Sequence, residues 1–128
     1  PGAGLLRAVR ARVDIPIHVL VRPRTGDFAY QDDEIEAMVN EVKEARRAGA
    51  DGIVTGVLGE GGFLNLSATT RLIEAAGPLP VTFHRAFDQI PDQSQALEVL
   101  AGLGVERLIL LFAPPYAELA LPGHSART

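Results

Sequence analysis

No cysteine occurs in the 128 residues, which hold a single methionine and no tryptophan. Disulfides and thiolate metal sites are therefore excluded for this chain. Long apolar runs are missing too, and none approaches the roughly 20 residues that a membrane-spanning helix needs. The opening, PGAGLLRAVRARVD, lacks the extended apolar core of a secretion signal, so a soluble cytoplasmic protein with no membrane partner is expected. It starts on Pro1 rather than methionine, as expected of a chain numbered from inside a longer protein. A basic surplus is absent: 12 Lys and Arg against 16 Asp and Glu leave a net charge of −4, which argues against nucleic acid as a partner.

What is present is ordinary globular composition, 47% hydrophobic and 22% charged, enough for one compact domain. The most informative stretch is PVTFHRAFD, from Pro80 to Asp88, where an apolar run ends on His84, Arg85 and Asp88. A second stretch, IPIHVLVRPRTGDF, repeats the design with Arg22, Arg24 and Asp27. Strands that finish on ionisable groups deliver them to one rim of a sheet. That is the pattern of a parallel α/β sheet whose site lies at the C-terminal ends of its strands.

In chain order, residues 4–12 read as a short helix and Ile15 to Val21 as a strand. Alternation puts His18, Leu20 and Arg22 on one face and Ile17, Val19 and Val21 on the other. The aliphatic face suits helices, and the mixed face suits the interior of a barrel or cleft. Pro23 stops the strand. From about Asp33 to Ala48, Ile35, Met38, Val39, Val42, Ala45 and Ala48 fall at helical spacing, with Gln31 or Asp32 starting the helix and Gly49 after it. Asp51 to Leu58 is a second strand. It leads into GEGGFLNLS, either a flexible loop or a backbone cradle for an anion; no nucleotide motif follows the strand. Ser67 is read as the cap of a helix to about Ala76, Leu79 to His84 as a third strand, and Asp92 as the cap of a helix that Gly104 closes. Glu106 to Leu111 is a fourth strand. The order α-β-α-β-α-β-α-β, with units of about 30 residues, requires parallel strands and right-handed crossovers.

IPIHVLVRPRTGDFAYQDDEIEAM, ADGIVTGVL, LPVTFHRAFD and ALEVLAGLGVERL, in that order and spacing, resemble the CutC family over roughly residues 1–110. The resemblance implies α/β architecture: a partial TIM (β/α)8 barrel with about four parallel strands and alternating helices. A complete barrel takes about 250 residues. The four strands match what look like the family's third to sixth; its first two, which carry acidic residues of the central site, and its last two have no counterpart here. A partial barrel domain over residues 1–112 and an irregular, non-family tail over 113–128 are expected. The tail's departure after Phe112 is what a reading-frame change, an alternative transcript or a mis-predicted gene would each produce.

The resemblance implies copper homeostasis, with copper binding or tolerance as the role and copper as the cofactor. The residues themselves offer a different chemistry. Arg22 and Arg24 stay charged, His84 titrates near neutrality in its ordinary state, and Asp27 and Asp88 can hold the arginines or orient the imidazole. His84, Arg22 and Asp88 are the candidate catalytic residues, and Arg24, Asp27 and Arg85 the candidate substrate contacts, for an enzyme acting on a small anionic metabolite. A structural ion-pair network is the competing account of the same cluster. His18 reads as a hydrogen-bonded core histidine, Met38 as core, Glu60 as solvated, and His124 as incidental. Phe28 and Phe87 either wall a pocket or simply pack. Metal ligands stay unassigned, since Cu(I) favours sulfur and this chain has one thioether. Two bare edges on a four-stranded sheet lead to an expectation of self-association.

Overall fold

The computed structural model describes residues 2–109. The elements are α1 (Ala3–Arg10), β1 (His18–Leu20), α2 (Asp32–Arg47), β2 (Gly52–Thr55), α3 (Leu66–Ala76), β3 (Val81–Phe83), α4 (Gln93–Leu103) and β4 (Arg107–Leu108). The strands form one sheet in the order β1-β2-β3-β4, every neighbouring pair parallel. The expected α/β fold with four parallel strands and alternating helices is what the chain adopts. Leu110, Leu111, the tail 113–128 and His124 lie outside the described residues.

The registers define two faces. Val54 pairs with Leu20 and Thr82, and Thr82 pairs with Arg107. Val19, Ile53 and Val81 occupy the opposite face. That outer face builds the larger core: Val21, Ile53, Val57 and Val81 pack with Met38, Val42 and Ala45 of α2 and Leu72 and Ala76 of α3. Phe83 joins a second cluster with Phe28, Leu58, Phe87, Ala96 and Leu100. The mixed face of β1 points to the other, inner side, as alternation requires.

Several boundaries move for local reasons. Residues 15–17 precede the ladder rather than join it, because Pro16 has no N–H and the Ile17 N–H donates to the Asp51 carboxylate at 2.7 Å. Asp51 also takes Arg10 Nη1 at 2.5 Å, a brace at the N-terminal end of the sheet. The Ile17 N–H first, then Arg10, hold the Asp51 carboxyl below the usual range. Asn65, not Ser67, caps α3: its Oδ1 accepts from the Ala68 N–H at 3.0 Å, and Ser67 lies inside the helix. The Glu34 carboxylate accepts from the Gln31 N–H at 2.9 Å at the start of α2, and Asp92 Oδ1 accepts from the Gln95 N–H at 3.1 Å at the start of α4.

The glycine-rich connection packs back on its own neighbours. Gly61 and Gly62, with φ of 72° and 79°, let it fold back through a 3-10 turn. Leu58 bridges both Ala29 and Leu64, and Asn65 N–H donates to Val57 O. The backbone groups that an anion would need are thus partly spent on the loop's own pairing. Glu60 is exposed, and Met38 is core at 1% exposure.

Candidate functional site

Arg22 and His84 meet at the C-terminal rim of the inner face. Between them stands Phe28: the Arg22 guanidinium carbon lies 4.4 Å from the ring centroid, and the His84 ring centroid 5.0 Å from it. Phe28 therefore walls this corner of the site while also packing in the second cluster; Phe87 is buried there as well. Arg22 Nη2 donates to Gly26 O at 2.7 Å, which ties the arginine to its own loop.

The imidazole is fixed by its neighbours. Phe83 ends β3, and residues 85–89 turn at once into a 3-10 helix, leaving His84 as the cap. The Ala86 N–H donates to His84 Nδ1 at 3.1 Å. An accepting Nδ1 places the proton of the neutral ring on Nε2. Nε2 is buried with no partner among the described residues, as are Arg22 Nε, Asp88 Oδ2 and Tyr30 OH. Burial, and then the Arg22 charge, push the His84 pKa down to about 4. The expectation that His84 exchanges a proton near neutrality gives way to a neutral ring presenting an Nε2–H donor.

Two glycines, Gly52 at the start of β2 and Gly56 just after its end, make room for rings. A Cβ at Gly56 would sit 2.6 Å from His84 Cε1 and 3.2 Å from Ala86 Cβ. One at Gly52 would collide with the His18 ring. The sequence pattern shows Gly56 near the end of the second strand but gives neither glycine a role, although glycine inside a strand is itself a sign of close approach. Gly56→Ala is expected to displace the His84 ring and to cost about 1–3 kcal/mol through overpacking. A denaturant midpoint and the His84 ring signals in NMR would check this; unmoved ring signals would mean that the gap is not required.

The other candidates separate. Arg24 donates from Nε to Glu34 Oε2 at 2.8 Å, from Nη1 to Asp27 Oδ1 at 3.1 Å and from Nη2 to Ala29 O at 3.0 Å, and it also covers the Tyr30 ring. Glu34 and then Asp27 raise the Arg24 pKa, while the Gln31 N–H and then Arg24 lower that of Glu34. Arg24 and Asp27 thus follow the ion-pair account and pin the loop to the first turn of α2. Arg85 is exposed on the 3-10 turn that follows His84. His18 is not a core histidine: it is half-buried on the inner face, and Arg107 Nη1 approaches its Nε2 at 3.1 Å.

Parallel strands joined by helices, with charge gathered at the strands' C-terminal rim, define a segment of the (β/α)-barrel class. The CutC family model matches residues 1–115, and the chain belongs to that family. It is 48% identical over 109 residues to the family protein CutC of Citrobacter koseri, covering 85% of this chain and 44% of that one. The corresponding protein of Salmonella schwarzengrund is 46% identical over the same length and with the same coverage. The crystal structure of the "Putative Copper Homeostasis Protein CutC" from Streptococcus agalactiae superposes with a TM-score of 0.84 at 31% identity, covering 90% of this chain and 57% of that one. The chain thus spans less than half the length of these curated relatives.

Proposed function

We propose that this CutC-family chain carries a binding site for a small anionic or polyhydroxylated metabolite at the C-terminal rim of its sheet. The observation that carries this reading is the pair of buried atoms beside Phe28, Arg22 Nε and His84 Nε2, which have no partner among the described residues. Buried polar atoms without partners are costly, and a ligand oxygen would satisfy them. In this reading Arg22 supplies fixed positive charge, neutral His84 donates from Nε2, and Asp88 accepts from a hydroxyl of the ligand. A neutral donor beside a guanidinium polarises a carbonyl or phosphoryl oxygen without giving up its own proton. Arg24 and Asp27 act indirectly, by holding the loop that carries Phe28.

Copper was the cofactor that the family resemblance implied, and the donor set does not fit it. Among the described residues no group of three His, Cys, Asp or Glu is placed to hold a metal ion. The sole thioether, Met38, is shut into the α2 core face. His84 Nδ1 and His18 Nε2 are each engaged, by Ala86 and Arg107. Among the described residues soft Cu(I) would find no accessible sulfur and Cu(II) no clustered imidazoles.

Calorimetric titration with inorganic phosphate and, separately, with Cu(I) and Cu(II) tests both halves. Phosphate binding that shifts the His84 ring signals is expected, and copper binding no tighter than to a scrambled-sequence control. Tight copper binding with unmoved His84 signals in phosphate would overturn the reading.

A further inference from the structure

The inner face carries the rim arrangement twice. At the rim the His84 ring lies over Gly56, with Arg22 as the nearby cation. Lower on the same face the His18 ring lies over Gly52, with Arg107 as its cation. Gly52 opens β2 and Gly56 directly follows it, four residues on, which is about 13 Å of extended chain. Both histidines therefore cross the central part of the sheet through gaps that any side chain at Gly52 or Gly56 would close.

Charge on this face is one-sided. The inward positions are His18, Leu20 and Arg22 on β1, Val54 on β2, Thr82 and His84 on β3, and Arg107 on β4. None is a carboxylate, in a chain whose net charge is −4. Arg10, Arg24 and Arg71 each have a carboxylate partner; Arg107 makes no such pair among the described residues, and its one polar contact is the ring nitrogen of His18. Asp88 stands on the 3-10 turn that follows β3 and His84. Between the two levels lies the row Leu20, Val54 and Thr82; Arg107 stands at the end of that row, paired with Thr82, and its guanidinium lies against the His18 ring, while Leu20 is 59% exposed.

We propose that Arg107 and His18 form a second anion subsite, so that the ligand is a bis-anion with two charged ends and a neutral, partly apolar middle. This rests on the rim reading above and extends it from one anionic group to two. Arg107 offers free guanidinium N–H groups beyond the one facing His18. His18, accepting from Arg107, orients the fork across the face. A bisphosphate or a phosphorylated acid with its charges on the order of 10 Å apart has the required form, given the strand spacing.

The test uses the whole chain, inorganic phosphate and linear α,ω-alkanebisphosphonates of increasing length, measured by calorimetry with His18 and His84 ring signals followed by NMR. Affinity is expected to rise along the series to at least about 10-fold above phosphate, with both rings shifting. Arg107→Met should erase the gain and leave phosphate binding unchanged, while Arg107→Lys should retain part of it. No gain with length, or a gain that survives Arg107→Met, overturns the second subsite while the rim reading stands. Absence of phosphate binding, with bisphosphonates held only through Arg107, would instead overturn the rim. If neither probe binds, both readings fall.

Discussion

Replacement of Arg22 by methionine is expected to weaken phosphate binding by about 10- to 100-fold, the usual range for hydrogen bonds from a charged donor. The substitution keeps the apolar stem against Phe28 and removes only the guanidinium, so the fold should survive; Arg22 has no carboxylate partner to strand among the described residues. The same variant carries an independent readout. The Arg22 charge is the second cause of the low His84 pKa, after burial. With the charge gone, the ring should titrate higher than about 4 yet still below its ordinary 6.5, because the burial remains. An NMR titration of the ring would show this directly. An unchanged His84 pKa together with unchanged phosphate affinity would separate Arg22 from the site altogether. Loss of affinity without a pKa shift would place the bound anion on Arg22 but away from the imidazole.

The contrast between Arg22 and Arg24 shows what the sequence could and could not disclose. Two positions apart, both were read as rim arginines. Arg22 still obeys the alternation of β1, so its face was legible from Ile17 onward. Arg24 follows Pro23, where alternation stops, and its destination depends on Glu34 and Ala29 in the folded loop. Helix α2 was legible almost to the residue, since its apolar spacing, acidic first turn and following glycine agree with one another. Histidine roles were not legible. His18 looked like core because its chain neighbours are aliphatic, but its partner Arg107 lies 89 positions away on β4. His84 looked like a proton exchanger because an imidazole's ordinary pKa is near neutral. Its burial comes from tertiary neighbours, Phe28 among them, that no local pattern announces. The resemblance to CutC supplied the order of strands, and the pleat supplied their inner face. Neither supplied the two glycine gaps through which the rings cross it.

Acid should destabilise the chain in a window set by His84. Its folded-state pKa is about 4, below the 6.5 of the free side chain. Above pH 6.5 the ring is neutral folded or unfolded, and its contribution is complete. As pH falls from 6.5 to 4 the unfolded chain takes up a proton that the folded chain refuses, so stability falls; below 4 both states are protonated and the loss levels off. The full difference corresponds to at most about 3 kcal/mol, a large share of the 5–15 kcal/mol typical of a domain. Glu34 and Asp51 have lowered pKa values, so their contributions are lost only further down, as pH falls through and below the ordinary carboxylate range. Denaturant unfolding between pH 7 and pH 5.5, above the carboxylate range, therefore reports on histidine, and comparison with His84→Gln isolates this one. The variant will be offset by the lost ring packing, but that offset does not vary with pH; the slope is what counts. A steep fall for the parent chain and a flatter one for His84→Gln are expected. Equal slopes would mean that the ring takes up its proton as readily folded as unfolded, and the neutral donor at the centre of the rim site would have to be given up.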